Sequence, residues 1–481
     1  MSDLRHIRKP SFRTVLFETI GRVADEMGVQ VYVVGGYVRD RFLHRPNAQD
    51  IDFVVTGDGP AFAKGVAQRL GARKVTIYRR FGTAHIRHRR HSLEFVGARK
   101  ENYRGDSRKP AVEGASLLDD LARRDFTINA MAVALNPDNF GALIDPYDGR
   151  DDVAAGIIRT PLDPHKTFND DPLRIMRAIR FSCQLQFRIE PATRAGLAAE
   201  AHRLSIISQE RITDELMKIL QCPRPSIGFQ IMDETGVLEK ILPECAKLKG
   251  VDYIGNHRHK DVFHHTLKVL DNCAAVSDKL ELRIAALFHD IAKPATKAYD
   301  PVIGWTFHGH EEIGARMFQA IGRRLRLASD TIEYVTKLIR LHLRPIHLSE
   351  EGVTDSAIRR LIFSAGDEID DLLTLCRADI TSGNPQRVKK HLANFDHVER
   401  RVAEVEEKDR LRNFQPPLRG EEIMRTLHLL PGPLVGKVKK AIEEAILNGD
   451  IANEHDAAFD YMMQRKDELL AHPVTVKSPA E

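Results

Sequence analysis

The stretch VYVVGGYVRDRFLHRPNAQDIDFVV, residues 31–55, combines an apolar run, a glycine pair and two aspartates that are two positions apart. Side chains two apart on a strand point to the same face, so Asp50 and Asp52 present two carboxylates on one side. The apolar Ile51 between them and the apolar residues 53–55 after them predict a strand that enters a hydrophobic core.

The glycine pair supplies the second half of this pattern. The apolar run ends at Gly35 and Gly36, and the segment VRDRFL at 38–43 then predicts the start of a helix. Glycines at a strand-to-helix turn let backbone N–H groups approach phosphate, and a helix N-terminus favours anions. Mg²⁺ is commonly held by one or two carboxylates together with substrate phosphates. Either motif alone is common, but together they predict a site for a nucleoside triphosphate and its magnesium.

Composition narrows the class of protein. A chain of 481 residues is too long for one hydrophobic core, so several domains are expected. Its charge is nearly balanced, with 72 Lys and Arg against 68 Asp and Glu, and this balance neither requires nor excludes a nucleic-acid partner. Five scattered cysteines without a Cys-x-x-Cys pair argue against a disulfide framework or a zinc ribbon and suit a reducing compartment. Without a signal-peptide core or a membrane-spanning stretch, we expect a cytoplasmic protein with no membrane partner.

The periodicity of apolar residues changes near Pro161. Before it, short β-rich runs alternate with helical segments, which predicts an α/β domain; after it, almost every segment has helical periodicity, so the overall class is α+β. The predicted strands are 31–35, 50–56, 74–78, 83–88 and 92–97. The predicted helices are 11–27, 38–43, 60–70, 171–183, 191–202, 209–220, 225–236, 262–276, 280–292, 311–325, 330–342 and 354–365.

Four further motifs follow the aspartate pair in a fixed order, namely RRDFTINAMAV at 123–133, IDPYDGRDDV at 144–153, NDDPLRIMRAIRF at 169–181 and ISQERITDEL at 207–216. In this order they resemble the class II tRNA nucleotidyltransferases, which have a polymerase-beta-like head and include CCA-adding enzymes and bacterial poly(A) polymerases. The resemblance covers roughly the first 240 residues, and its five ordered motifs make it specific. It implies tRNA, CTP and ATP as partners and Mg²⁺ as cofactor.

The resemblance also implies roles for individual residues. Asp50 and Asp52 would hold two magnesium ions, with Glu94 as a third acid. Asp171 and Arg174, three apart and predicted to share a helix face, would select the base of the incoming nucleotide. The remaining implied nucleotide-binding residues are Gly35, Gly36, Arg39, Arg124, Asp125 and Asn129.

Local structure offers simpler interpretations of the same residues. Arg124 and Asp125 are typical of a surface ion pair, and Glu94 of an edge-strand charge. Asp170 and Pro172 are typical of a helix N-cap and a first-turn proline. The polar stretch RGDSRKPAVEGAS, residues 104–116, predicts a mobile loop next to the site.

A second constellation lies downstream, where His265, the pair His289-Asp290 and Asp379 follow one another in a helical context. This resembles the H…HD…D pattern of HD metal-dependent phosphohydrolases, and it implies a divalent metal (Mg, Mn, Ni or Co). Imidazole and carboxylate together suit such ions. His310 and His342 are available for a second ion. The metal could support phosphoester hydrolysis or act only as a structural staple, and the sequence leaves both open.

Near the C-terminus, a Pro-Gly turn precedes a helix that carries Lys437, Lys439 and Lys440. These residues predict contact with RNA phosphate, although a capped amphipathic helix with a solvated lysine face explains them equally well. The expected domains are a catalytic head at 1–158, a helical base-recognition neck at 159–245, a helical HD domain at 246–400 and a helical RNA-binding tail at 401–481.

These observations predict an enzyme that adds or repairs the 3′-terminal CCA of tRNA from CTP and ATP and releases pyrophosphate. Alternatives are a poly(A) polymerase of the same family, partial addition of CC or A alone, an HD-type phosphohydrolase with an RNA-binding N-terminal half, and a non-catalytic RNA-binding scaffold. The last two would not need an intact set of Asp50, Asp52, Asp171 and Arg174. The sequence does not decide the oligomeric state.

Overall fold

The protein is described by a computed structural model, in which the chain forms two compact units, Met1–Ala246 and Lys247–Glu481. No described helix is both long enough and apolar enough to cross a membrane. All five cysteines are buried, and none of them forms a disulfide. The structure describes residues 12, 14–45, 49–79, 82–104, 107–114, 116–250, 253–254, 257–258, 261–302, 304–348, 354–382, 384–409 and 417–470.

The first unit is built on a seven-stranded sheet. The strands of this unit are β1 (Val31–Val34), β2 (Asp50–Val55), β3 (Val75–Tyr78), β4 (Thr83–His88), β5 (His91–Gly97), β6 (Arg99–Arg104), β7 (Ser107–Gly114), β8 (Ala132–Ala134), β9 (Leu143–Ile144), β10 (Ile157–Ile158) and β11 (Arg188–Ile189). The sheet order is β3-β4-β5-β2-β1-β8-β9. Only β2 and β5 pair in parallel within it.

The described residues of the first unit also form twelve α-helices. They are α1 (Val15–Glu26), α2 (Gly36–Phe42), α3 (Gly59–Leu70), α4 (Leu117–Ala122), α5 (Gly149–Ala155), α6 (Pro164–Asp170), α7 (Leu173–Leu185), α8 (Pro191–Glu200), α9 (Gln209–Leu220), α10 (Ser226–Glu234), α11 (Val237–Ile241) and α12 (Pro243–Ala246). The helices from α6 onward follow the sheet without further long strands, as the change in periodicity near Pro161 predicts.

The two faces of the sheet are chemically different because β2 alternates between exposed acids and buried apolar residues from Asp50 to Phe53, before Val54 and Val55 enter the core. Ile51 and Phe53 are buried, and the Phe53 ring stacks on Phe95 of β5 at a centroid distance of 4.7 Å. Helices α1 and α3 pack on this aromatic face. Asp50 and Asp52 point away from it and are exposed. Alternation along one strand therefore buries the aromatic core and leaves two carboxylates accessible.

One prediction for this unit is wrong. The polar stretch 104–116 is not a loop, because β6 and β7 form an antiparallel hairpin with a register shift between Asn102 and Arg104. The sequence of β7, SRKPAVEG, lacks the apolar alternation that signals a half-buried strand. Backbone pairing within a hairpin needs no such alternation, so the composition pointed to a loop.

The helix start at NDDP also differs from the prediction. Asp170 is the last residue of α6, and α7 begins at Leu173 with Pro172 as its N-cap residue. The side chain that accepts a backbone hydrogen bond here is Asp171, whose Oδ1 lies 3.2 Å from the amide nitrogen of Leu173. Two helices meet with only two residues between them, so the capping role moves one position along the chain.

The second unit is helical with small hairpins. Its helices are α13 (Val262–Val276), α14 (Leu280–Phe288), α15 (Lys293–Thr296), α16 (His310–Arg324), α17 (Ser329–Leu341), α18 (Arg344–His347), α19 (Asp355–Ala365), α20 (Ile369–Asp379), α21 (Pro385–Asp409), α22 (Gly420–Leu427), α23 (Pro433–Asn448), α24 (His455–Gln464) and α25 (Lys466–Leu470). The hairpins are β12 (Tyr253–Ile254) with β13 (His257–Arg258), and β14 (Ala298–Asp300) with β15 (Gly304–Thr306). The α+β class is confirmed.

Candidate functional site

Three acidic side chains lie on one face of the sheet in the first unit. Asp50 and Asp52 are both exposed on β2, and Glu94 is exposed on β5 directly opposite Asp52 in the parallel register. Residues in register on neighbouring strands project to the same side. The sheet therefore brings together the three carboxylates that the sequence singles out.

These carboxylates are close but not converged. A metal-binding group is taken as at least three His, Cys, Asp or Glu donor atoms that lie within 4.8 Å of one another. Among the described residues such groups occur at two places, both in the second unit, so Asp50, Asp52 and Glu94 do not form one. Desolvation raises the pKa of Asp52, the nearby charge of Arg124 opposes that shift, and Asp50 adds to it. Like charges on adjacent side chains disfavour closer approach. Hard carboxylate donors with this spacing fit magnesium together with substrate phosphates.

Gly35 stands where a side chain would collide with this site. Its φ of 71° lies in the left-handed region, and a Cβ placed on it would lie 2.9 Å from Arg124 Nη1 and 3.9 Å from Asp52 Oδ2. The Gly35 N–H itself donates to the Met131 carbonyl at 3.2 Å. Glycine is thus required at position 35 because the backbone is left-handed there and because Arg124 and Asp52 leave no room for a side chain. The Gly35 N–H is already hydrogen-bonded within the protein.

Arg124 is held beside the acids by a buried carboxylate. Its Nε and Nη2 donate to Asp120 Oδ2 at 3.1 and 3.0 Å, and the Asp120 side chain is fully buried. Arg123 donates to Asp120 Oδ1. Desolvation is outweighed by these two arginines, so the pKa of Asp120 is lowered. The surface ion pair between Arg124 and its neighbour Asp125 is a wrong prediction, since Arg124 pairs with Asp120 instead.

Asp125 belongs to a second, buried network. Its Oδ2 accepts from Arg177 Nε and Nη2 at 2.9 and 2.6 Å, and its Oδ1 accepts from Asn129 Nδ2 at 3.0 Å. Asn129 Oδ1 in turn accepts from Arg39 Nη1 at 2.8 Å. Burial opposes ionisation, but the charge of Arg177 lowers the pKa of Asp125 to about 2. Arg39, Asn129 and Asp125 therefore contact one another more than solvent.

The predicted base-selecting pair lies at the start of α7. Asp171 precedes the helix with extended backbone, so it does not share a helix face with Arg174 as predicted. Arg174 Nη2 donates to the Arg123 carbonyl at 2.5 Å, and Asp171 Oδ2 lies 3.6 Å from Arg211 Nη2. Both side chains are half-buried and point to different protein partners. Each retains unused hydrogen-bonding capacity toward a ligand.

Two supporting residues were not predicted from the sequence. Arg177 holds Asp125 in place, and Asp120 holds Arg124 in place. The carboxylate of each ion pair is buried. Arg174, Arg177 and Arg180 recur every three residues along α7, and the last two flank the ring of Phe181 at 5.4 and 4.2 Å. That three-residue recurrence is the signal in the sequence that could have identified Arg177.

The second unit brings its predicted metal ligands together. His265, His289 and Asp379 form one group of donor atoms, and the other contains Asp290 with the two additional histidines, His310 and His342. His265 Nε2 lies 2.9 Å from Asp379 Oδ1, and His289 Nε2 lies 3.2 Å from Asp290 Oδ2. Ligands about 2.1 Å from one ion lie no more than about 4.2 Å apart, so these spacings suit a shared divalent cation.

The imidazoles are oriented for metal binding through their second nitrogen. The Nδ1 atoms of His289, His310 and His342 lie 2.8, 2.8 and 2.6 Å from backbone carbonyl oxygens, and Nδ1 of His265 lies 2.8 Å from Thr381 Oγ1. A hydrogen bond at Nδ1 fixes the tautomer that presents a free Nε2 to a metal. The buried atoms His289 Nε2 and Asp290 Oδ1 make no hydrogen bond to any described residue, and a bound cation would coordinate both.

Electrostatics in this cluster favour a cation. Burial lowers the pKa of His289, but Asp290 and Asp379 outweigh it and raise the pKa to about 10. The pKa values of Asp290 and Asp379 are lowered mainly by His289 against desolvation. Burial lowers the pKa of His342 to about 4, so this imidazole is neutral near pH 7. A positive charge is therefore stabilised at the centre of the cluster.

The three C-terminal lysines lie on α23. Lys437 and Lys440 are exposed and Lys439 is half-buried, while Val438 and Ile442 face the core of the unit. Desolvation raises the pKa of Glu443, and the charges of Lys440 and Lys439 partly oppose this rise. The structure thus places a lysine face on an amphipathic helix, which is compatible with either interpretation made from the sequence.

Three family models match the chain. Residues 31–159 match the poly A polymerase head domain, residues 186–248 match the probable RNA and SrmB-binding site of polymerase A, and residues 262–381 match the HD domain. The chain is 34% identical over 354 residues to an A-adding tRNA nucleotidyltransferase of Deinococcus radiodurans, covering 71% of this chain and 78% of the relative.

Two further comparisons extend over most of the chain. A CC-adding tRNA nucleotidyltransferase of Thermus thermophilus is 30% identical over 436 residues, covering 89% of this chain and 92% of the relative. A Thermotoga maritima CCA-adding enzyme, solved in complex with tRNA, matches with a TM-score of 0.59 at 24% identity, covering 93% of this chain and 94% of that one. The structural likeness shows a shared fold.

Proposed function

This chain belongs to the tRNA nucleotidyltransferase family, and we propose that it adds or repairs the 3′-terminal CCA of tRNA, using CTP and ATP and releasing pyrophosphate. The observation that carries this proposal is the register of β2 and β5. It places Asp50, Asp52 and Glu94 on one exposed face, beside the cationic Arg124 and a glycine turn.

The head and the HD domain belong to metal-dependent families. We propose Mg²⁺ for the head, held by Asp50 and Asp52, because both offer exposed carboxylate oxygens on one strand. Magnesium, when bound, offsets the triphosphate charge and lowers the pKa of the attacking 3′-hydroxyl. The protein supplies positioning: two acids orient the reacting groups, and Glu94 adds a third negative side chain beside them.

Arg124 would stabilise the charge that develops on the triphosphate. It is fixed by the fully buried Asp120, so little reorganisation is needed when phosphate arrives. Gly35 and Gly36 allow the phosphates to approach the start of α2. Asp125, Asn129 and Arg39 are implied nucleotide contacts, and their mutual hydrogen bonds suit a rigid wall of the sugar site.

Base selection is proposed for Asp171 and Arg174. An acceptor and a forked donor can pair with the edge of cytosine or adenine, which present different hydrogen-bonding patterns. In the free protein these side chains are occupied by Arg211 and by the Arg123 carbonyl. Binding of a base would exchange those contacts for contacts to the nucleotide.

The remaining domains follow the same proposal. We divide the chain into a head at 1–158, a neck at 159–245, an HD domain at 246–400 and a tail at 401–481. The unit boundary after Ala246 and the extents of the family matches support this division. Lys437, Lys439 and Lys440 on α23 would contact the tRNA backbone. A cytoplasmic location is proposed from the cysteine pattern.

A second activity is favoured by a specific observation. The HD cluster of imidazoles and carboxylates holds two buried atoms, His289 Nε2 and Asp290 Oδ1, that make no hydrogen bond to any described residue. Mixed nitrogen and oxygen donors fit Mn, Ni, Co or Mg, and a metal held there would supply a Lewis acid for phosphoester hydrolysis. Lys293 Nζ, 2.6 Å from Asp290 Oδ2, adds a positive charge for a phosphate substrate.

The test is nucleotide addition to tRNA that ends at the discriminator base. The protein is incubated with this tRNA, Mg²⁺ and CTP, ATP or both, and the products are sized. Three added nucleotides in the order C, C, A support the proposal. A long A tract indicates a poly(A) polymerase, addition of A only to tRNA ending in CC indicates an A-adding enzyme, and two cytidines alone indicate a CC-adding enzyme.

A separate assay distinguishes the HD activity. The same preparation is incubated with 2′,3′-cyclic nucleotide and Mn²⁺, Ni²⁺, Co²⁺ or Mg²⁺, and opening of the ring is followed by chromatography. Ring opening that His289→Ala abolishes supports hydrolysis at the HD centre. A metal-loaded protein without turnover on cyclic nucleotides or simple phosphate esters supports a structural metal instead.

A further inference from the structure

A basic cavity of about 980 Å³ lies along α17 in the second unit, apart from the metal ligands. Its walls come from α16, α17, α18 and α19, and none of the clustered histidines and aspartates lines it. One acid, Glu333, lines it against five cations. These cations are Arg323, Arg326, Lys337, Arg340 and Arg344.

The charges of this cavity are only partly compensated. Lys337 Nζ lies 2.7 Å from Glu368 Oε2, and Arg340 Nε lies 2.7 Å from Glu312 Oε2. Arg323 forms no ion pair or side-chain hydrogen bond with any described residue. Among the described residues, the Arg344 side chain donates to one neutral partner, Ser364 Oγ, at 3.0 Å. Two guanidinium groups therefore face the cavity region without a carboxylate, and guanidinium pairs well with phosphate oxygens.

The shape favours a compact ligand over a strand of nucleic acid. Four of the cations lie on three successive helices, α16, α17 and α18, and Arg326 lies in the loop between the first two. All five line one volume, whereas proteins that bind a single strand track its backbone along an extended groove. The volume lies at the upper end of the range for small-molecule sites. We propose that this cavity, the arginine cavity, binds a small phosphorylated ligand of nucleotide size through Arg323 and Arg344.

Calorimetric titration of the full-length protein tests this proposal. Inorganic tripolyphosphate and ATP serve as probes. A chelator suppresses binding at metal-dependent sites, and physiological salt screens weak electrostatic attraction to the protein surface. The variant is Arg323→Ala with Arg344→Ala, which removes the two guanidinium groups that line the cavity without a carboxylate partner among the described residues. The matched control is Arg316→Ala with Arg400→Ala, which removes the same charge from helix positions outside the cavity.

The proposal predicts that the cavity double variant weakens one tripolyphosphate binding event about tenfold or more, while the control does not. A higher affinity for ATP than for tripolyphosphate would show that the cavity also contacts the nucleoside, and equal affinity would show that it contacts only the phosphates. Equal loss in the control, or weaker tRNA binding with unchanged tripolyphosphate binding, overturns the proposal.

Discussion

In the first unit, the carboxylates of Asp50, Asp52 and Glu94 share an exposed face but do not converge, whereas in the second unit imidazoles and carboxylates meet in a buried cluster. The exposed acids have few protein partners to hold them. The buried histidines are fixed by hydrogen bonds at Nδ1. On the proposed function, the head site would need its substrate phosphates to complete a metal shell, whereas the donor atoms of the HD cluster already lie together without a ligand.

The largest effect should come from the head acids. Asp52→Ala removes a proposed metal ligand and should lower nucleotide addition by about 10³-fold, as for loss of a preorganised electrostatic contact, with tRNA binding retained. Single-turnover extension of tRNA measures it. Asp151→Ala, at an exposed acid on α5, is the matched control and should keep full activity. Normal extension by Asp52→Ala would reject the metal assignment.

The HD cluster should respond to metal instead of nucleotide. Because a cation binds only the folded cluster, metal at about 100 times its Kd should raise the free energy of unfolding of the second unit by about 2.7 kcal/mol. Chelator titration during urea unfolding measures the loss. His289→Ala should abolish this metal dependence and leave nucleotide addition intact, whereas His264→Ala, whose side chain is 72% exposed, should change neither. Loss of addition in His289→Ala would mean that the two centres are coupled.

The buried Asp125–Arg177 pair gives the first unit its own acid sensitivity. The pKa of Asp125 is about 2 in the folded protein against 3.8 for an unperturbed aspartate. Because the pKa of Asp125 is lower in the folded protein, its ionised carboxylate stabilises the fold at pH values above the pKa of the unfolded state. This contribution is lost as the pH falls from about 4 toward about 2. The contribution at neutral pH is about 2 kcal/mol.

Urea unfolding of wild type and Asp125→Asn from pH 7 to pH 3 measures this contribution. The difference in unfolding free energy between the two proteins should be largest at neutral pH and shrink as the pH approaches 3. A difference that stays constant over this range would show that Asp125 does not titrate with a lowered pKa.

The smallest effect should appear in nucleotide choice. Arg174→Ala should change the ratio of CTP to ATP incorporation about tenfold, because one forked base contact contributes roughly 1–3 kcal/mol to discrimination. Competition between labelled CTP and ATP on one tRNA measures the ratio. Arg188→Ala, at an exposed position on β11, is the control. An unchanged ratio in Arg174→Ala would remove this residue from base selection.

Periodicity predicted the helices well because amphipathic segments bury one face wherever they lie. The predicted helices 209–220 and 262–276 match α9 and α13 in both bounds. The strand carrying Asp50 and Asp52 was predicted for the same reason, since alternation from Asp50 to Phe53, followed by an apolar end, indicates a strand that enters the core. The hairpin of β6 and β7 was missed because its polar sequence contains no such alternation.

Partners distant in the chain could not be predicted from local patterns. Asp125 pairs with Arg177, 52 residues away, and Glu94 is brought opposite Asp52 by a parallel crossover. The N-cap at Asp170 was wrong because α6 ends at that residue. Spacing along a chain identifies which residues can share a face, but packing between distant elements decides which of them meet.

The most direct test is to locate manganese in crystals by anomalous scattering, with and without a non-hydrolysable ATP analogue. We expect manganese at the HD cluster in both crystals. Between Asp50, Asp52 and the analogue's phosphates we expect it only when the analogue is present. Manganese at the head acids without nucleotide, or no metal near them when the analogue is bound, would contradict the claim that substrate completes this site.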